Sequence, residues 1–121
     1  MICDLNEKTL IFSKEAIVLC KKMPNTQITI PLKNQFIRSS TSIGANYREA
    51  INGSSEKDFR NKIFICKKEA QESNYWIELL EASVPIAIPS DFAQIKDHCN
   101  ELIRIFQKIV STLKKKAECK V

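Results

Sequence analysis

The chain of 121 residues is long enough to bury the core of one domain but too short for two. Its composition, with 27% charged residues, two glycines and four prolines, is typical of a helical protein, and its net charge of +5 permits an acidic partner without requiring one. No apolar run approaches the ~20 residues of a membrane span, and no signal peptide is recognisable. We therefore expect a single cytoplasmic domain over residues 1–121, with no membrane association.

The first predicted helix covers residues 5–23. Asp4-Leu5-Asn6-Glu7 has the form of a capping box, and Pro24 ends the pattern. The following segment 25–30, NTQITI, is β-branched but too short and isolated for a sheet, so we expect an extended connection. The apolar stripe of this helix alternates steps of four and three through Leu5, Thr9, Phe12, Ala16, Leu19 and Met23.

The second predicted helix covers residues 31–52. Pro31 suits its first turn, where the missing N–H is not needed. Gly53 is available for a left-handed residue just after the helix end. Asn46 falls on the core stripe, and we expect a buried amide there. That stripe runs through Leu32, Phe36, Ser39, Ile43, Asn46 and Ala50.

Two further helices are predicted over residues 55–83 and 90–117. Ser55-Glu56-Lys57-Asp58 resembles a capping box, and two prolines in VPIAIP separate the two helices. Four amphipathic helices with short connections predict an all-α, antiparallel, up-down-up-down four-helix bundle. The two stripes are Phe59, Ile63, Cys66, Ala70, Ser73, Ile77, Leu80 and Val84, and then Phe92, Ile95, Cys99, Leu102, Phe106, Ile109 and Leu113.

The middle of the second helix, RSSTSIGANYREA, is unusually polar and rich in small residues. The tight turn after this helix makes it an antiparallel neighbour of the third, which places Arg38 opposite Glu69. We therefore predict an ion pair between Arg38 and Glu69 or Glu72. Small residues here, among them Gly44, would allow close approach of a neighbouring helix. The second stripes of the two helices are Gln35, Arg38, Ser42, Ala45 and Glu49, and Ile65, Glu69, Glu72, Trp76 and Leu79.

Two motifs resemble those of one family. Q-x-x-R-x-x-x-S-I-x-x-N-x-x-E-A, from Gln35 to Ala50, and K-E-A-x-E-x-x-Y-W-x-x-L-L, from Lys68 to Leu80, look like signatures of the 23S rRNA intervening-sequence proteins. Ala50 stands where many members carry Gly, which favours one branch of the family. The resemblance implies a homopentamer around a central pore, without a settled activity. Relatives of similar shape are basic accessory proteins of reverse transcriptases, so the association with nucleic acid is an analogy.

We expect no enzyme activity, no metal site and no cofactor. The single histidine, His98, has Glu101 three residues after it, the reverse of a di-iron motif. The five cysteines are scattered without a C-x-x-C, which favours reduced thiols over disulfides or zinc. Acid–base machinery is the alternative for the polar residues of the motifs, but we favour a structural or interface network. Its members are Gln35, Arg38, Ser42, Asn46, Glu49, Glu69, Glu72 and Trp76.

Basic residues on the helix surfaces and the lysine-rich tail predict sequence-independent binding of RNA or DNA to the phosphate backbone. For any single cluster, a solvated surface is the competing explanation. The alternative function is a scaffold that docks a partner enzyme such as a reverse transcriptase. The candidate nucleic-acid-binding residues are Lys21, Lys22, Arg60, Lys62, Lys67, Lys68, Arg104, Lys108, Lys114, Lys115, Lys116 and Lys120.

Overall fold

A computed structural model describes residues 4–53, 55–84 and 89–119 of the chain. These residues form four α-helices and no β-strand: α1 Leu5–Lys22, α2 Thr29–Ile51, α3 Glu56–Ser83 and α4 Pro89–Cys119. The helix bounds lie within two residues of those predicted from sequence. No described helix is both long and apolar enough to cross a membrane.

Two helices begin at the predicted caps. The Asp4 carboxylate accepts a hydrogen bond from the backbone N–H of Asn6 at 3.0 Å, and the Ser55 hydroxyl accepts one from the N–H of Asp58 at 3.0 Å. Each bond satisfies a backbone donor that has no partner within the helix. The caps therefore set where α1 and α3 begin.

The start of α2 corrects the prediction for segment 25–30. Thr29 and Ile30 are helical rather than extended. Thr26 and Thr29 form a reciprocal cap: the Thr26 hydroxyl accepts from the Thr29 N–H at 3.0 Å, and the Thr29 hydroxyl accepts from the Thr26 N–H at 2.8 Å. This capping box starts α2 two residues before Pro31, which still lies in the first turn. The β-branched character of NTQITI was misleading because side-chain caps outweigh strand propensity.

The end of α2 corrects the prediction for Gly53, which does not adopt a left-handed conformation. Its N–H instead donates to the Ala50 carbonyl at 3.3 Å, so the helix ends in a tighter turn. A Cβ on Gly53 would lie 3.3 Å from that same oxygen. Glycine is favoured here by close approach to the helix end rather than by a positive φ.

Each helix packs against two of the other three. α1 and α3 both pack along α2 and α4, whereas among the described residues the backbones of the diagonal pairs, α1 with α3 and α2 with α4, do not approach one another. Residue numbers rise along one helix as they fall along its neighbour, so neighbouring helices run antiparallel. The pairs are Thr9–Gly44 and Met23–Lys33, Ser39–Ser73 and Glu49–Lys62, Glu56–Lys116 and Glu81–Lys96, and Lys8–Glu101 and Lys22–Asp91.

The core follows the predicted stripes closely. Every predicted core position of α1 is buried, as are the six from Ile63 to Leu80 in α3. Two positions in α4 differ: Ile109 and Leu113 are only half-buried, whereas Val110 is 1% exposed. A strict heptad step drifts relative to a straight helix of 3.6 residues per turn, and α4 is long enough for the drift to change which residue faces inward.

Small residues bring α2 close to both of its neighbours, as predicted. A Cβ on Gly44 would lie 3.1 Å from the Thr9 hydroxyl oxygen, so α1 and α2 approach closely at this point. On the α3 side, the buried hydroxyls of Ser39 and Ser73 are hydrogen-bonded at 2.8 Å. The polar composition of α2 therefore serves two close helix contacts, with the hydroxyls satisfied in the interior.

Candidate functional site

The centre of the α2–α3 surface is an ion-pair network built on Arg38. Its guanidinium donates from Nη1 to both oxygens of Glu69 at 3.2 Å and from Nη2 to Glu72 at 2.5 Å. Nε donates to the side-chain oxygen of Gln35 at 3.2 Å. Both predicted ion pairs are present, and one arginine makes them together.

Electrostatics in this network favour the charged form of Arg38. Burial disfavours the guanidinium cation, but the attraction and hydrogen bonds of Glu69 and Glu72 outweigh it and raise the pKa of Arg38 above its ordinary value. The Glu69 side chain is only 12% exposed, whereas that of Arg38 is 45% exposed. The network therefore covers the outside of the α2–α3 contact, which suits a role in helix register.

The other predicted members of the network lie apart from Arg38. Asn46 is half-buried rather than buried, and its amide donates to the Ser42 carbonyl one turn earlier at 2.8 Å. Glu49 pairs instead with Lys62 of α3 at 2.6 Å. Trp76 is half-buried, and its buried indole Nε1 has no hydrogen-bond partner in the described structure. No bond joins these residues into one catalytic constellation.

The predicted basic residues lie at both ends of the bundle and between them. Lys22 lies where α4 begins and pairs with Asp91 at 3.0 Å, so Lys21 and Lys22 lie at that end of the bundle. The opposite end carries Arg60 and Lys116, which line one shallow groove, and Lys108, which lines another. Lys67 and Lys68 lie between the two ends on α3, and Lys120 lies outside the described residues.

The positive charge of the chain is concentrated at the end where α2 and α4 finish and α3 begins, which we name the basic end. Residues 48–62 carry four Lys or Arg against three Asp or Glu, and residues 104–119 carry five against one. With 19 basic and 14 acidic residues in all, the remaining sequence carries ten of each. These two segments therefore carry a combined excess of +5, and the start of α1, which lies at the same end, adds the acidic Asp4. Its basic members are Arg48, Lys57, Arg60, Lys62, Arg104, Lys108, Lys114, Lys115 and Lys116.

His98 and the cysteines have local structural partners. The Nδ1 atom of His98 lies 2.6 Å from the Glu15 carboxylate of α1. The partner of this ring nitrogen is therefore Glu15 and not Glu101. Burial raises the pKa of the Cys66 and Cys99 thiols to about 12, which disfavours a nucleophilic thiolate near neutral pH. Within residues 4–53, 55–84 and 89–119, no three His, Cys, Asp or Glu side chains are grouped to hold a metal ion.

Two features of the structure were not predicted from the sequence. Lys33 is a buried lysine whose ammonium donates to the Met23 carbonyl at 2.6 Å and to the Asn25 side chain at 2.9 Å, which closes the end of α1. The outer side of α1 exposes large aliphatic residues, including Ile17 and Val18. Their seven-residue repeat with Leu10 and Ile11 was a detectable signal beside the core stripe.

Four antiparallel amphipathic helices around one apolar core define the chain as a four-helix-bundle protein. It belongs to the family described as 23S rRNA-intervening sequence protein, which it matches over residues 3–108. It is also similar to a crystal structure from Bacteroides thetaiotaomicron, a protein of unknown function from the S23 ribosomal protein family. That similarity has 36% sequence identity and a TM-score of 0.77, and covers 87% of this chain and 96% of the other. No curated protein matches the chain.

Proposed function

We propose that the chain is a non-enzymatic, oligomeric protein of the cytoplasm that binds nucleic acid without sequence preference. In this proposal the up-down-up-down bundle assembles as a homopentamer, and the basic end contacts phosphate groups. The observation that carries the proposal is the concentration of the excess positive charge at that end. Repetition in five copies would place about 25 positive charges on one particle, enough for a salt-sensitive phosphate-binding surface.

The side chains at the basic end support contact with the phosphate backbone rather than with bases. Lys114 and Lys115 are exposed near the end of α4, where long cationic side chains can reach phosphate oxygens. The nearby aromatic residue Tyr47 is half-buried, with its ring centroid 6.2 Å from that of Phe106 in the core. Tyr47 is therefore poorly placed for stacking on a base, which supports binding without sequence readout.

The arrangement of the polar residues supports a non-enzymatic role. Glu69 and Glu72 share the cation of Arg38 across the α2–α3 contact, and Glu49 is paired with Lys62. Each carboxylate is thus held by a basic side chain of the neighbouring helix, as in a network that fixes helix register, rather than left free to exchange a proton with a substrate. The alternative, a scaffold that docks a partner enzyme such as a reverse transcriptase, needs the same assembly but no phosphate contact.

Fluorescence anisotropy with generic RNA and DNA across a salt series tests the proposed binding. We expect binding of both nucleic acids at low salt. The logarithm of the binding constant should fall linearly with the logarithm of the salt concentration, because several counterions are released on binding. Absence of binding at low salt would remove the nucleic-acid proposal and favour the scaffold. Tight binding that does not change with salt would contradict its electrostatic basis. Sedimentation equilibrium of the protein alone tests the pentamer separately.

A further inference from the structure

We propose that the copies of this chain assemble head to tail, with the outer face of α1 on one copy docked against the outer face of α3 on the next. This inference rests on the proposed oligomer and names the surfaces that form it. The α1 face consists of Leu10, Lys14, Ile17, Val18 and Lys21. The α3 face consists of Glu72, Tyr75 and Glu78.

A closed ring needs two different surfaces on each copy, because a head-to-tail contact joins one patch to a second, complementary patch. The bundle supplies them on different sides. α1 and α3 each pack along α2 and α4, and in the described structure their backbones do not approach one another. Two neighbouring copies can therefore occupy the outer faces of α1 and α3 at the same time.

Both faces expose apolar side chains where a helix surface would ordinarily be polar. On α1, Leu10 is 41% exposed, Ile17 is 40% exposed and Val18 is 50% exposed. On α3, Tyr75 is 56% exposed and packs against the ring of Trp76, with centroids 5.2 Å apart. Apolar groups clustered on one face are typical of the centre of a protein–protein contact, and tyrosine and tryptophan are enriched there.

The charges of the two faces are opposite. On the α1 face, Lys14 and Lys21 are exposed, and no ion pair joins either to another described residue. The segment 69–83 of α3 contains four glutamates and no lysine or arginine, although two of the glutamates share the cation of Arg38 and Glu81 is paired with Lys96. Of these glutamates, Glu78 is exposed. Opposite charges on the two patches favour the α1–α3 pairing and disfavour α1 against α1.

The two faces also match in height along the bundle. Thr9 touches Gly44 of α2, and the carbonyl of the preceding residue, Ile43, accepts a hydrogen bond from the Cys66 thiol, so Thr9 and Cys66 lie at nearly the same height. α1 and α3 run in the same direction, because both are antiparallel to α2. Counting equally from this level pair brings Val18 level with Tyr75, and Lys21 level with Glu78.

In a ring whose axis runs along the helices, all copies lie at the same height. The level pairs would then meet between neighbouring copies: Val18 on Tyr75 in the centre, and Lys21 beside Glu78 toward one end. Lys14 is level with Gln71, and across the proposed contact it would lie beside Glu72, which Arg38 already holds in place. The Arg38 network thus fixes a carboxylate at the edge of the proposed contact.

Sedimentation velocity with one variant of each face tests the proposal. Val18→Asp and Tyr75→Asp each place a charge in the centre of one face, and each should lower the assembly affinity at least about a hundredfold. Ile30→Asp is the matched control, because Ile30 is 46% exposed but lies on neither face. We expect the control to assemble as the unmodified chain does. Circular dichroism of each variant checks that the monomer is folded.

Mixing the two variants distinguishes head-to-tail contacts from symmetric ones. Each variant retains one intact face, so an equimolar mixture of Val18→Asp and Tyr75→Asp should form one-to-one dimers and nothing larger. A mixture that stays monomeric, or face variants that assemble as the unmodified chain does, would overturn the proposed surfaces. A monomeric unmodified chain would instead overturn the proposed oligomer and this contact together.

A charge exchange gives an independent test with variants that leave the apolar residues intact. Lys21→Glu and Glu78→Lys should each weaken assembly about tenfold, through like-charge repulsion between copies. Both changes in one chain restore opposite charges at every contact and should recover most of the affinity. Additive losses in the double variant would contradict the pairing of Lys21 with Glu78.

Discussion

The α2–α3 contact and the α1–α4 contact are built in different ways. Between α2 and α3, the buried hydroxyls of Ser39 and Ser73 meet at 2.8 Å, and Arg38 covers the outside of the contact. Between α1 and α4, partly exposed ion pairs such as Lys22–Asp91 border an open groove of about 320 Å³. Close packing commits α2 and α3 to one register, whereas exposed ion pairs contribute little to stability. The α2–α3 pair is thus the more rigid half of the bundle.

The largest expected difference between the two contacts comes from truncating an isoleucine in each. Ile43 of α2 is fully buried, so Ile43→Ala should lower the free energy of unfolding by about 2–5 kcal/mol through lost burial and a cavity. Ile11 lines the α1–α4 groove and is 44% exposed, so Ile11→Ala should cost less than about 1 kcal/mol. Urea denaturation of both variants measures the difference. Equal losses would show that the contacts do not differ in packing.

A double-mutant cycle on Ser39 and Ser73 tests whether the hydrogen bond between these two side chains couples α2 to α3. Ser39→Ala leaves the buried Ser73 hydroxyl without its Ser39 partner, at a cost of about 1–3 kcal/mol in unfolding free energy, whereas Ser73→Ala should cost less because the Ser39 hydroxyl still donates to the Phe36 carbonyl at 3.3 Å. The double variant removes both polar groups and should cost less than the sum of the single changes. Strictly additive losses, measured by the same denaturation, would mean that the 2.8 Å bond does not couple the helices.

Loss of the Arg38 network should have a moderate effect. Arg38→Gln leaves Glu69 and Glu72 close together without their cation, and we expect a loss of about 1 kcal/mol in unfolding free energy that shrinks as salt is added. Lys96→Gln, which removes a single pair with Glu81 between α3 and α4, is the control and should cost less. An Arg38 variant as stable as the control would show that the network does not hold α2 against α3.

The smallest expected effect lies at the α1–α4 contact and depends on pH. The hydrogen bond from Lys8 lowers the pKa of Glu101 below its ordinary value of 4.5, so the pair stabilises the fold above that pH and loses its effect as the pH falls through the lowered pKa. Lys8→Gln should cost less than about 1 kcal/mol at pH 7 and a smaller amount at pH 3. A loss that is the same at both pH values would point to a cause other than Glu101.

The sequence predicted the features that depend on periodicity and on neighbouring residues. The core stripes of α1 and α3 and the Arg38–Glu69 pair follow from helix spacing and from the short turn between α2 and α3. The position of Val110 did not follow, because heptad drift accumulates over the length of α4.

Other features depend on contacts that the apolar spacing within one helix does not predict. Lys33 is buried because its ammonium reaches the end of α1, ten residues away in the chain. The Thr26–Thr29 cap depends on side-chain hydrogen bonds that compete with the strand propensity of NTQITI. The separation of the basic residues between two ends required the fold, because sequence clusters alone do not show which end of a bundle they share.

Two charge-matched double variants test the central claim, that the excess positive charge at the basic end binds nucleic acid. Lys114→Gln/Lys115→Gln changes the basic end, and Lys22→Gln/Lys96→Gln removes the same charge elsewhere. Fluorescence anisotropy with generic RNA across a salt series should show weaker binding and a salt slope smaller by about 1–2 for the first variant only. Equal losses of affinity in both variants would contradict the claim, because binding would then follow net charge rather than its position.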